Sequence, residues 1–172
     1  DVHSIRQTLQ LLTVVAPLLL GASAVLAINP VADDARPAPA LAVADVVKIQ
    51  LEALRHNDAQ DRGIALAFRF ASPSNQLNTG PLPRFARMLK DGPYALMLHF
   101  THASYDPPQI VDREAVQRVT VVASGSAALI FVFYLSRQSA PGPLHNCWMT
   151  DAVRIEPIPG TQAKSRSHSD QV

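Results

Sequence analysis

Apolar residues recur along this chain at three different periods, and each period predicts a different kind of element. Between Thr8 and Ile28, in "TLQLLTVVAPLLLGASAVLAI", they are nearly continuous, and the 21 residues carry no charge. A helix of that length, at about 1.5 Å per residue, spans the roughly 30 Å hydrocarbon core of a bilayer. The stretch therefore reads as a single transmembrane helix within an N-terminal segment of residues 1–28. A retained signal peptide, for which "ASA" at 22–24 supplies a cleavage pattern, and a buried soluble helix are the alternatives. His3 and Arg6 precede the stretch while Asp33 and Asp34 follow it, which favours the N-terminus on the positive-inside face. Residues 29–42, "NPVADDARPAPALA", come next. Pro30, Pro37 and Pro39 forbid a continuous helix there and predict an extended linker that holds a domain off the bilayer.

From Val43 the apolar positions fall at helical spacing: Val43, Val46, Val47, Leu51 and Leu54, with Asp45, Lys48, Glu52 and Arg55 between them. "HNDAQDRG" ends this helix in turn formers, with Gly63 as the natural stopping residue. "IALAFRF" suits a short helix or a strand and is read as a second helix, "SPSNQLNTGPLP" predicts a turn, and "PRFARMLKDG" a third helix with Pro83 in its first turn and Gly92 after its end. Beyond Tyr94 the period drops to two. Strands are expected near "ALMLHFTH", "QIVDREAVQRVTVVAS", "AALIFVFYLSR" and "HNCWMTDAVRIEP", with a hairpin turn at "ASGSA" where Gly125 can take a positive φ. Helices followed by consecutive antiparallel strands predict an α+β layer structure over residues 43–156.

Three stretches in this region, "VVKIQLEALRHNDA", "FRFASPSNQLNTGPLPRFARML" and "PYALML", together with a late "CWMTDAVRIE", resemble an uncharacterised domain-of-unknown-function family of plants, algae and bacteria within the NTF2-like group. The resemblance covers Val43 to Glu156. It implies an NTF2-like cone, a curved antiparallel sheet wrapped around helices, and it carries no established reaction and no catalytic residues. In such a cone the Ser-Pro and Thr-Gly-Pro steps would turn the first helices sharply at the sheet mouth.

Composition narrows the chemistry. The 172 residues include 17% charged residues, below the roughly 25% usual in soluble domains, and a net charge of +1 with no basic stripe, so no nucleic acid is expected as a partner. Cys147, the only cysteine, excludes an internal disulfide and a cysteine-rich metal site, and reads as a small buried hydrophobe. His99 and His102 would point to opposite faces of a strand, so no metal is expected. No serine has a nucleophile-elbow setting and no glycine pattern suits a phosphate, so no catalytic residue is assigned and no cofactor is expected. His99, Tyr105, Tyr134, His145 and Asp151 could face the interior of a cone; His99, Tyr134 and Asp151 are the candidate pocket residues. On α-helical spacing Arg84, Arg87 and Lys90 fall on one side of the helix, solvated or partner-facing, opposite Phe85, Met88 and Leu89.

"AALIFVFYL" is apolar on both alternating faces: Ala128, Ile130, Val132 and Tyr134 on one, Leu129, Phe131, Phe133 and Leu135 on the other. A strand exposed on one side should alternate apolar with polar, so both faces must be covered. The second set is the candidate interface with a partner, with coverage by the chain's own ends as the alternative. The polar tail "PIPGTQAKSRSHSDQV", residues 157–172, is expected to dock on a neighbour. The combined expectation is a non-catalytic, single-span accessory subunit of a larger membrane complex. The plant and algal resemblance, and an N-terminus at Asp1 that reads as processed, point to a chloroplast thylakoid photosystem, where contact with pigments or lipids is possible. A mitochondrial inner-membrane complex, or a small-molecule-binding or isomerase- or dehydratase-like enzyme, are the alternatives.

Overall fold

A computed structural model describes residues 34–125 and 128–158. The uncharged stretch Thr8–Ile28, the start of the linker and the tail beyond residue 158 lie outside the described residues. Among the described residues no helix is long and apolar enough to cross a membrane. The fold of the described residues is α+β: four helices, α1 (Val43–Arg55), α2 (Arg62–Arg69), α3 (Pro73–Thr79) and α4 (Leu82–Lys90), and a 3-10 turn at Pro93–Leu98 precede five antiparallel strands. These are β1 (Phe100–Tyr105), β2 (Gln109–Val111), β3 (Glu114–Ala123), β4 (Ala128–Arg137) and β5 (Trp148–Glu156).

Helix α1 starts where the periodicity begins. Asp45 accepts a hydrogen bond from the Ala42 amide at 2.9 Å, satisfying an N-terminal donor. All five expected apolar positions are buried. They pack with Ile64, Leu66 and Ala67 of α2 against the inner face of the sheet, where Val119, Val121, Phe131, Phe133 and Leu135 belong to the same core. Each such side chain removed from water contributes about 1.5–3 kcal/mol. The linker beyond residue 33 is no free spacer. Ala35 and Leu41 pack on this core, and the Ala35 carbonyl accepts from Arg69 Nη1 at 2.7 Å.

Gly63 does not stop α1, which ends at Arg55; it lies buried in the first turn of α2. A β-carbon there would come within 2.0 Å of the Ala53 carbonyl oxygen and 2.9 Å of Asn57 Cα, so glycine is what lets the two helix backbones approach. The connector between them is folded around Asp58 and Asn57. Asp58 accepts the amides of Gln60 and Arg62, and Asn57 accepts that of Ile64. Asp61 is held below the usual carboxylate range by the Lys90 ammonium 2.8 Å away and then by the Asn57 amide, so the basic face of α4 is partly spent on a tie to this connector.

Two of the expected strands differ from the period-two reading. "ALML" forms a 3-10 turn, because Pro93 follows Gly92 at a φ of 155° and starts a tight coil, and β1 begins only at Phe100. "QIVDREAVQRV" is broken at Asp112, whose φ of 52° makes a two-residue hairpin turn between β2 and β3. β1 and β2 then share one edge of β3, separated by Pro107 and Pro108, which lack ladder donors. The order is β1-β3-β4-β5, with Gly125 at φ 89° in the β3–β4 turn.

Phe131, Phe133 and Leu135 correct an expectation: they are buried under the helices, and Leu129 packs against the same core, so this face is the interior and not a docking surface. The opposite face carries Val132, itself 0% exposed. Its cross-strand neighbours are Arg118 and Arg154. Arg118 pairs with Glu156 at 3.2 Å, and the Arg154 guanidinium lies 5.1 Å from the Tyr134 ring. The long aliphatic stems of these cations flank Val132 while their heads remain in water, and Ala128, Ile130 and Tyr134 of the same stripe stay partly exposed.

Replacing Gly63 with alanine should destabilise the domain by about 1–3 kcal/mol, because the clash is with backbone and cannot be relieved by a rotamer change. Urea unfolding of the wild type and the variant checks this; a loss below about 0.5 kcal/mol would show that the α1–α2 approach is looser than described.

Candidate functional site

The segment "FASPSN" is the hinge of the site. Phe70, Ala71 and Ser72 are buried and run parallel to β5: the Ser72 amide donates to the Thr150 carbonyl at 2.8 Å and the Thr150 amide to Phe70 at 2.9 Å. Ser72 then caps α3 by accepting from the Asn75 amide, with Pro73 at the first helical position. The expected turn is thus a seven-residue helix with a hydrogen-bonded start. Asn75 Nδ2 returns to the Thr150 carbonyl at 3.0 Å, and Gln76 Nε2 donates to the carbonyls of Phe68 and Ala71. Thr79 Oγ1 donates to the Asn75 carbonyl at 2.8 Å. Polar side chains tie α3 in place, since none of its residues is buried.

On the inner side the Thr150 hydroxyl donates to Gln50 Oε1 at 2.6 Å, and Gln50 Nε2 donates to the Ala67 carbonyl at 3.0 Å. Both side chains are buried and satisfied. Thr150 faces Leu135, whereas Ala152 faces Tyr134, so Asp151 is the extra residue of a β-bulge. The bulge resets the alternation, so Thr150 and Val153 both face inner residues of β4, Leu135 and Phe133, and the extra residue Asp151 comes among those that line the cavity.

Between these elements lies a cavity of about 300 Å³, lined by α1, α2, α3, α4, the 3-10 turn and the inner faces of β4 and β5. Leu54, Phe85, Met88, Met97 and Phe133 supply much of its apolar wall. Tyr94 lines it too and donates its hydroxyl proton to the Val153 carbonyl at 3.0 Å. Asp151 is half-buried at the wall, and among the described residues no side chain pairs with its carboxylate.

Of the candidate pocket residues, then, Asp151 lines the cavity and two do not. His99 is exposed at the end of the 3-10 turn, displaced because that turn replaces the first half of the expected strand. Tyr134 points to the outer face under Arg154. His145 is exposed in the loop before β5, its Nδ1 3.2 Å from the Ser139 carbonyl oxygen. Cys147 is buried, and burial pushes its thiol up, away from reactivity. Among the described residues no three His, Cys, Asp or Glu side chains converge as a metal site. The sequence reading missed Gln50, Asn75 and Tyr94. Gln50 carried a signal, since it is a polar residue on the apolar face of α1.

A second polar spot lies under α1. Tyr105 faces inward from β1, and its hydroxyl is buried without a partner, as is Gln117 Oε1; Gln117 Nε2 donates to the Asp106 carbonyl. Burial, reinforced by Glu52, pushes the Tyr105 phenol up to about 12.

The arrangement is a helix layer on a sheet with an apolar cavity between them, a roof tied on by polar side chains, and a carboxylate in the wall that no side chain among the described residues pairs with. The chain matches the DUF4864 family, a domain of unknown function, over residues 37–163, and it belongs to that family. No curated protein and no solved structure matches it.

Because Tyr105 is protonated more tightly folded than unfolded, its contribution to stability is present below pH 10 and is lost as pH rises towards 12. Tyr105→Phe should be at least as stable as wild type at pH 8, since it removes an unpaired buried hydroxyl, and should gain relative to wild type at pH 11. Denaturant midpoints at the two pH values check this; a variant that loses ground at pH 11 would contradict the burial.

Proposed function

We propose that the domain is a small-molecule-binding module of NTF2-like form, tethered to a membrane by Thr8–Ile28. The observation that carries the binding reading is the cavity of about 300 Å³ with the unpaired Asp151 carboxylate in its wall. That volume sits at the low end of the range for small-ligand sites, which are mostly apolar with a few placed polar groups. The NTF2-like form is supported by the layout: helices lead, pack on one face of an antiparallel sheet, and leave the cavity between. Binding is favoured over turnover because no histidine, cysteine or lysine accompanies Asp151 in the lining. The tether rests on the 21 uncharged residues.

A second reading keeps the same tether and makes the chain a non-catalytic accessory subunit of a larger membrane complex, for instance a thylakoid photosystem or a mitochondrial inner-membrane complex. Its support is the uncharged segment; the sheet face that would have served as the contact is occupied by the core.

Leu54→Phe should fill the cavity from the α1 side and abolish binding of apolar probes such as phenylbutanol while the domain stays folded. Calorimetric titration of the full chain measures it, and binding that persists in the variant would move the site elsewhere. Carbonate washing of membranes should leave the full chain in the pellet; release into the supernatant would remove the tether. Co-migration with a large complex on native gels, together with no probe binding, would favour the second reading.

A further inference from the structure

We infer that the cavity selects compact apolar amines, with Asp151 as the counter-ion to the ligand's ammonium group; this rests on the binding reading above. Asp151 is the one carboxylate among the lining residues, and no cationic side chain lines the cavity with it. Three other polar side chains of the wall are already bonded, while Asn78 lies at its exposed side. Gln50 is bonded through both ends of its amide, Asn75 gives its amide proton to Thr150, and Tyr94 gives its hydroxyl proton to Val153. An ionised carboxylate accepts hydrogen bonds and donates none, so a donor on the ligand is what completes it, and a cationic donor does so most strongly. An anionic ligand would face the same carboxylate with no compensating cation in the wall.

The apolar lining points the same way. Phe85, Tyr94 and Phe133 present ring faces or edges to the cavity, and aromatic faces attract an ammonium through their quadrupole. Met88 and Met97 add polarisable, adaptable surface for a hydrocarbon or aryl body. Arg84, on the helix that supplies Phe85 and Met88 to the wall, is engaged with the carbonyls of Asn78 and Gly80, at 3.1 and 3.4 Å. The bulge at Asp151 is the device that brings the charge inward: without it the strict alternation that keeps Thr150 on Gln50 would turn Asp151 to the outer face.

A matched series tests this: 4-phenylbutylamine, 4-phenylbutanol and 4-phenylbutyrate share one apolar body and differ in head-group charge. They are titrated calorimetrically at pH 7 into the full chain in zwitterionic nanodiscs, with the cavity-filled Leu54→Phe chain in identical discs as the blank. The amine is expected to bind about tenfold or more tightly than the alcohol, and the butyrate most weakly, in line with the strength of a hydrogen bond to a charged group. Asp151→Asn, nearly isosteric, should remove most of the amine's advantage over the alcohol and lessen the discrimination against the butyrate, while Asp151→Glu should retain part of the preference. Equal binding of all three compounds would overturn the amine assignment and leave the binding reading standing. An amine preference that survives Asp151→Asn would overturn the role of Asp151. No binding of any compound above the blank would overturn the binding reading and this inference together.

Discussion

A hydrogen bond of 2.6 Å between the Thr150 hydroxyl and the Gln50 amide oxygen joins positions a hundred residues apart, and the site depends on it. Both side chains are buried, so each would cost roughly 1–3 kcal/mol if left unpaired, and neither can relax into water. Apolar packing alone tolerates sliding of a helix over a sheet; a directional bond between two buried polar groups does not. It holds Thr150 inward on β5 and Gln50 inward on α1, and the second end of the Gln50 amide extends the same constraint to α2 through Ala67. The backbone of Thr150 carries the constraint outward. Its carbonyl receives Ser72 and Asn75, and its amide is given to Phe70, so the start of α3 is registered against the same residue. One position on the last strand therefore orients three helices.

Fixing Thr150 inward creates the phase problem that the bulge solves. β5 pairs with β4 up to Tyr134–Ala152 on one phase and from Leu135–Thr150 on the other. The additional residue at the change is Asp151, which is how a carboxylate with no ion-pair partner among the described residues comes to line the cavity. Coverage of the sheet's two faces follows a different logic on each side. The inner face is buried by helices. On the outer side arginine stems flank Val132 of β4, with Arg118 anchored on Glu156 and Arg154 stacked on Tyr134. Because two exposed cations are enough, Val132 is sealed without a partner chain among the described residues.

These two devices explain what was legible in the sequence and what was not. The 3.6 period located α1 at its first residue, and the short helices "IALAFRF" and "PRFARMLK" were readable because Gly and Pro bounded them. The doubly apolar β4 was also readable, but the side facing the helices was not: alternation states that two faces are covered and is silent on which cover is which. Phe131, Phe133 and Leu135 were assigned outward for that reason. "SPSNQLN" was read as a turn because Ser, Pro and Asn favour turns; in the fold the same residues cap and tie a helix through bonds to a strand that lies 75 positions further on. His99 was lost to a 3-10 turn whose signal, Gly92-Pro93, competed with four apolar residues of strand character. Asp151 was a candidate by residue type alone. The bulge that places it inward results from a contact across a hundred residues, and no local pattern encodes that.

The construction of the roof bears on why the cavity stays open. Leu77 of α3 is 85% exposed and α3 buries no side chain, while α4 buries only Ala86 and Leu89. Had these helices been seated by packing alone, the gap beneath them would have been closed by large side chains, since interiors reach crystal-like density wherever apolar surfaces meet freely. α3 is seated by directional bonds of Ser72, Asn75, Gln76 and Thr79, and α4 combines the Lys90–Asp61 pair with the packing of Leu82, Phe85, Ala86 and Leu89. Such bonds fix a separation and do not reward collapse. Elements held with little buried apolar surface also open at lower free-energy cost than the core beneath them, so a path into the cavity need not disturb α1 or the sheet. A rigid floor made by Gln50, Thr150 and the β4–β5 ladder, under a roof held by hydrogen bonds, combines a preformed wall with an entrance.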